Sequence, residues 1–241
     1  MKNSVKFILQ KMLGFRSYLF TFAKYKIRTL KNDDKENDFF YFLDMLNDGQ
    51  GNVLDIGANL GIMTVHLAQN LPNSTIHAFE PVPDNRIVFK QVVDKYELKN
   101  VEFHEYALGD EDGSVEMITP KDKGAKLQGL SHVKHDTITE WNQGEEFSVA
   151  IKRLDDLNLG KVQGIKMDVE NFEYFVLTGA KSLLGNDYPI IYTELWDNDN
   201  RARCMELLSQ LGYDAHVIVE GQLTVFEPKR HQSQNFIYIA R

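Results

Sequence analysis

From residue 52 onward the chain alternates short apolar runs with helical stretches, and this alternation constrains the fold more than any other feature. NVLDIG reads as a strand, GIMTVHLAQN as a helix ended before Pro72, and STIHAFE as a second strand. PDNRIVFKQVVDKYEL is a helix opened by Pro83 and Asp84, residues suited to a first helical turn. VEFHEYAL, VQGIKMDVE and PIIYTELW read as further strands, and FEYFVLTGAKSLLG and NDNRARCMELLSQLG as further helices. Repeated βα units predict a mostly parallel sheet with helices on both faces. DAHVIV and NFIYIAR follow one another without a helix, which predicts an antiparallel pair at a sheet edge. Residues 120–146 are polar and aperiodic and read as a loop or lid.

In a doubly wound sheet, ligands sit beyond the carboxyl ends of the strands. The first such turn is VLDIGANLGIMT, with Asp55, Gly57, Asn59 and Gly61. A phosphate-binding Walker loop requires G-K-[ST], and Gly61 is followed by Ile62 and Met63. A dinucleotide turn wants a second glycine where Asn59 stands. Asp55 adds an acid that disfavours pyrophosphate and suits a ligand with an ammonium and a sulfonium, as in S-adenosyl-L-methionine (AdoMet). Glu80 ends the second strand, where a carboxylate can accept both ribose hydroxyl protons. Glu80 alone does not separate AdoMet from NAD, because both carry adenosine.

Net charge is −8, unevenly spread. Residues 1–32 hold eight Lys or Arg and no acid, against 19 basic and 35 acidic residues in the remainder. The acidic body argues against nucleic-acid binding, which needs a basic face. The N-terminal apolar run is broken at Gln10 and Lys11, and its longest uncharged stretch, Ser17 to Ala23, is too short to span a membrane. Val5, Ile8, Met12, Phe15, Leu19 and Phe22 nevertheless recur at helical spacing. Residues 1–31 therefore read either as a helix packed on the main domain or as one resting on anionic lipid. A cytoplasmic protein, either free or peripheral at the inner membrane surface, is the expected setting. The lone Cys204 permits no internal disulfide and reads as a buried apolar residue.

The segments VLDIGANLGIMT, AFEPVPDN, ALGDEDGSVEM, RLDDL, IKMDVENFEYFVLTGA and YTELW, in this order and spacing, resemble the FkbM-type AdoMet-dependent methyltransferases over roughly residues 50–241. The resemblance implies a class I methyltransferase fold, Rossmann-like α/β with a seven-stranded sheet, at residues 49–241 behind an N-terminal helical extension at 1–48. It implies O-methylation, with a sugar hydroxyl of a glycan, glycolipid or related metabolite as acceptor. By the same resemblance Asp55, Gly57, Asn59 and Gly61 wrap the methionine part of AdoMet, Glu80 binds ribose with Asn85 nearby, and Tyr106, Ala107 and Leu108 flank adenine. Asn171 stands where the family usually has Gly, and Asn tolerates the left-handed conformation better than most residues.

A sugar hydroxyl must lose a proton when it is methylated, and a carboxylate or His at the strand ends can take it. Asp168 and Glu170, two apart in KMDVEN, point to one side of an extended backbone close to the AdoMet turn, and Asp168 is also expected among the cofactor contacts. Glu194 and Trp196 share a side likewise, a carboxylate for hydroxyls beside an indole for a sugar face. His132 and His135 are further candidates for base or substrate contact. Displacement at carbon requires no metal, and none is expected. The rival readings are an NAD-dependent oxidoreductase and a catalytically silent binding protein at a membrane surface.

Overall fold

The computed structural model describes residues 2–135 and 141–241. In chain order the helices are α1 (Lys2–Leu13), α2 (Phe15–Thr29), α3 (Asn37–Met45), α4 (Ile62–Asn70), α5 (Pro83–Lys95), α6 (Glu173–Thr178), α7 (Lys181–Asp187) and α8 (Asp199–Gln210). The first strands are β1 (Asn52–Ile56), β2 (Ile76–Phe79), β3 (Val101–His104), β4 (Ala107–Leu108), β5 (Gly113–Asp122), β6 (Ala125–Lys126) and β7 (His132–Val133). They are followed by β8 (Gly144–Lys152), β9 (Val162–Met167), β10 (Ile190–Glu194), β11 (Tyr213–Val219), β12 (Gln222–Val225) and β13 (Asn235–Ala240).

Among the described residues the main sheet has eight strands, ordered β12-β11-β13-β10-β9-β1-β2-β3. The run from β10 to β3 is parallel, as the βα alternation requires. Its central strand β1 is almost wholly buried because helices cover both faces. Two expectations need correction here. The sheet has one strand more than seven, since β12 folds back on β11 as a hairpin. The final pair is also not a simple edge, because β13 inserts between β10 and β11, antiparallel to both.

Three further boundaries differ from the sequence reading. VEFHEYAL is two strands, because the chain leaves β2 after His104 and Ala107–Leu108 pair with β8. FEYFVLTGAKSLLG breaks into α6 and α7 at Gly179, where a Cβ would lie 2.0 Å from the carbonyl oxygen of Gly109. The stretch 120–146 is largely folded: β5, β6, β7 and β8 join β4 in a second, five-stranded sheet. Residues 136–140 of that stretch lie outside the described residues. The two-residue strands β4, β6 and β7 leave no periodicity to read, and the longer β5 and β8 are paired across a connection that the sequence does not reveal.

The N-terminal helix is interrupted at Gly14, which has φ +77°. Beyond it, Leu19, Ala23 and Ile27 of α2 are buried in one core with Phe39 and Phe42 of α3 and with Val53, Tyr192 and Ile237 of the sheet. The packed-helix reading thus holds for α2. Helix α1 behaves differently. Gln10 fastens it to β6, donating to the Lys126 carbonyl and accepting from the Lys126 amide, both at 3.1 Å. Ile8, Leu9, Met12 and Leu13 stay exposed. The side chain of Val5 lies outside the described residues. No helix among the described residues is long and apolar enough to cross a membrane.

Candidate active site

The turn after β1 is shaped by backbone proximity. Gly57 has φ +74°, and a Cβ there would meet the carbonyl oxygen of Asp168 at 1.9 Å. Gly61, at φ +78°, leaves 3.0 Å between its missing Cβ and the Phe89 ring. Asn59, between them, is also left-handed at φ +52°. Glycine and asparagine enter that region at least cost, which explains their spacing. Helix α4 starts directly after Gly61 without a side-chain cap, so its first-turn N–H groups remain available to an anionic ligand group such as a carboxylate.

Asp55 is where the electrostatic expectation fails. It is fully buried and lies outside the lining of the adjacent cavity among the described residues. Its Oδ2 accepts from the Thr64 hydroxyl at 2.6 Å, and its Oδ1 lies 3.1 Å from Lys166 Nζ. Lys166 also donates to the Gly57 carbonyl at 2.9 Å. Burial acts to lower the Lys166 pKa, but Asp55 and Asp168 beside it outweigh burial and hold the ammonium above its ordinary value. The Asp55 charge therefore serves Lys166, and the pair braces the turn from behind.

A cavity opens in front of the turn. Gly57, Asn59, Glu80, Asn85, Tyr106, Ala107, Leu108 and Asp168 line it together, so eight of the ten expected cofactor contacts meet in one place. Glu80 Oε2 accepts from the Asn59 amide at 2.8 Å and Oε1 from the Val82 amide at 2.7 Å. Each oxygen retains a lone pair for a ribose hydroxyl. Burial pushes Glu80 up to about 7 despite these bonds.

Met117 and Val133 of the second sheet, with Gln128 and Ser131 of the 3-10 turn between β6 and β7, close the far side of this cavity, and the sequence indicated none of them. Three buried oxygens on the wall, Asn59 Oδ1, Asn85 Oδ1 and Gln128 Oε1, have no hydrogen-bond partner among the described residues. Orphaned buried acceptors are costly unless a ligand satisfies them. The acidic side chains lining the cavity are Glu80, Asp168 and Glu170, and no Lys or Arg lines it among the described residues. A diphosphate would find no counter-charge there, whereas a cationic ligand would. AdoMet fits this set: glycine cradle for the methionine, Glu80 for ribose, and unsatisfied acceptors for amino groups.

A second cavity, of about 810 Å³, opens on the other side of Asp168. Lys166, Met167 and Asp168 at the end of β9 line it with Tyr192 and Glu194 of β10. Asn235 of β13 contributes, and the N-terminal segment adds Lys35 and Glu36. Asp168 is common to both linings. Burial and the Asp168 and Glu36 charges push Glu194 up to about 7. Glu170, on the cofactor side, is pushed to about 9 by burial and by Asp168, Glu194 and Glu173. At neutral pH Glu170 therefore keeps its proton and is a hydrogen-bond donor, which removes it as a general base.

Three other expected contacts are not brought here. His132 is buried away from both cavity linings among the described residues, with Nδ1 2.9 Å from the Leu130 carbonyl and Nε2 3.1 Å from Asn142 Oδ1. The His135 ring packs against Phe172 and Phe175. Trp196 lines neither cavity among the described residues, because β10 ends at Glu194 and the chain turns toward α8. Asn171 has φ +73°, following Glu170 at φ +53°, so the turn survives without glycine. Cys204 is fully buried, and burial pushes its thiol up.

Fold and site together define a class I, Rossmann-like methyltransferase architecture. Residues 55–215 match the Methyltransferase FkbM domain, and the chain belongs to that family. It is 29% identical over 143 residues to Methyltransferase 1 of Beauveria bassiana (strain ARSEF 2860), covering 53% of this chain and 57% of that protein. The methyltransferase FkbM structure from Methylobacillus flagellatus KT superposes with a TM-score of 0.57 at 14% identity, over 99% of this chain and 59% of that one. The chain thus spans somewhat over half the length of these two relatives. A SAM-dependent O-methyltransferase from Thermotoga maritima shares the fold with a TM-score of 0.50 at 12% identity, over 89% of this chain and 70% of that one.

Proposed function

We propose that the protein is an AdoMet-dependent O-methyltransferase whose acceptor, a hydroxyl compound such as a sugar, enters the cavity beside Glu194. The observation that carries this reading is the shared wall: Asp168 lines both cavities, so a ligand in one meets a ligand in the other there. AdoMet, when bound, supplies an electrophilic methyl group on a cationic sulfur. The protein's own contribution is alignment and proton removal. Glu194, with its pKa raised to about 7, is poised to accept a hydroxyl proton near neutral pH. Asp168 and protonated Glu170 orient the hydroxyl at the junction.

The test is incubation with methyl-labelled AdoMet and separate pools of polysaccharide, glycolipid and small hydroxylated metabolites. Label in a product that base does not hydrolyse supports an ether and hence O-methylation of a hydroxyl. Binding of NAD in place of AdoMet would overturn the reading.

A second element rests on α1. Its exposed Ile8, Leu9, Met12 and Leu13, with Lys6 and Lys11 on the same helix, suit an anionic lipid surface. Each basic residue adds at most about 1 kcal/mol near such a surface, so attachment is reversible and salt-sensitive. Co-sedimentation with anionic vesicles, lost in Met12→Glu, supports an enzyme that meets its acceptor at the inner face of a membrane. Vesicle binding without methyl transfer to any pool favours a silent binding protein instead.

A further inference from the structure

At the open edge of the main sheet, three ligand-type side chains converge that neither cavity uses. Strand β3 is the edge, and its Glu102 and His104 are two residues apart, on one face. Across the parallel ladder His77 pairs in register with Glu102. His77 Nδ1 lies 3.2 Å from His104 Nε2 and 3.5 Å from Glu102 Oε2. The three ligand atoms fall within 4.8 Å of one another.

We propose that His77, Glu102 and His104 form a binding site for a divalent first-row transition metal, with zinc the best match. Metal–ligand distances of about 2.0–2.2 Å in a tetrahedral site put neighbouring ligand atoms about 3.3–3.5 Å apart. The two measured separations bracket that edge length before any metal is present. Two imidazoles and one carboxylate make a nitrogen-rich set with one negative charge, which suits zinc over magnesium or calcium. Three protein ligands leave a fourth position, and Glu102 is exposed enough for solvent to fill it and for a metal to enter.

The surroundings fix the ligands. The Phe79 ring stacks on His104 with centroids 4.5 Å apart. The Tyr106 hydroxyl lies 3.2 Å from His104 Nδ1, the partner that orients a ligating imidazole. Coordination through Nε2 requires the proton on Nδ1, so His104 then donates to Tyr106. Lys152, whose Nζ lies 4.7 Å above the Tyr106 ring, opposes a further cation, and the Glu102 carboxylate offsets it.

The experiment uses full-length protein freed of any affinity tag and stripped with chelator, titrated with Zn²⁺ by calorimetry and with Co²⁺ by visible absorption. One equivalent should bind with a dissociation constant of about 1 µM or tighter, and Co²⁺ should give the intense bands of a four-coordinate site. Glu102→Gln, an exposed change that leaves the core intact, should weaken binding roughly tenfold or more, and His104→Gln should abolish it. Circular dichroism verifies that each variant is folded. Absence of saturable one-equivalent binding overturns the site. So does undiminished binding by folded Glu102→Gln, or a loss produced by Glu194→Gln instead, which would put the metal among the acids of the second cavity.

Discussion

The two cavities that meet at Asp168 are built on opposite principles. The cofactor cavity is shaped by backbone: a glycine turn, amides that hold Glu80, and neutral oxygens waiting for partners. The second cavity, where we propose the acceptor binds, is shaped by charge: Glu36, Asp168 and Glu194 face Lys35 and Lys166 around Tyr192. The first is determined by steric necessity and should tolerate little change. The second is determined by electrostatics, so single isosteric changes should alter chemistry without disturbing the fold.

The largest separation of the two should come from Gly57→Ala. Its Cβ would collide with the Asp168 carbonyl, so AdoMet binding should fall at least a hundredfold in calorimetry, with a stability loss on the order of 1–3 kcal/mol. Wild-type affinity in that variant would break the steric account. On the other side, Glu194→Gln should hold AdoMet affinity within about twofold while turnover drops roughly a hundredfold or more. The wild-type rate should rise with pH through about 7, and that limb should vanish in the variant. Glu80→Gln should weaken AdoMet binding on the order of tenfold with little change in fold, since one amide oxygen still accepts a backbone N–H.

Stability against pH sharpens the contrast further. Glu194 is raised from 4.5 to about 7, so in the ligand-free protein it holds its proton more tightly folded than unfolded. Its contribution is fully present below about 4.5 and is lost as pH rises through about 7. Glu194→Gln should therefore flatten the fall of Tm across that window, and an unchanged slope would contradict the assigned burial. The smallest effect belongs to Asn171. Replacement by Gly should shift stability by less than about 1 kcal/mol, because the freed left-handed strain offsets the lost bond from Asn198. Asn171→Ala should cost about 1 kcal/mol more than Gly.

Much of the cofactor side was legible because local rules govern it. Glycines at 57 and 61 mark a strand-to-helix turn, Glu80 falls at the end of the next strand, and alternation supplies the sheet. The acceptor side was legible only in part. Asp168 and Glu194 stood out as strand-end acids, yet Lys166 and Tyr192 look like ordinary strand residues, and Glu36 lies in a polar joint far along the chain. Gln128 and Ser131 were hidden in a short 3-10 turn between β6 and β7, where no period can be read. Trp196 was misplaced because alternation predicts the side a residue points to only while the strand continues, and His132 stood in a stretch with no period to place it.

The sequence alone determined the parallel core, the glycine turn and the family, since these follow from periodicity and from conformations open to few residue types. Tertiary structure alone decided which charges meet. It gave Asp55 to Lys166, left the orphaned oxygens facing the cofactor cavity, raised Glu194 and Glu170, and brought His77 to Glu102 and His104 across neighbouring strands. Electrostatic energy depends on distance and burial, and both are fixed only when remote segments pack.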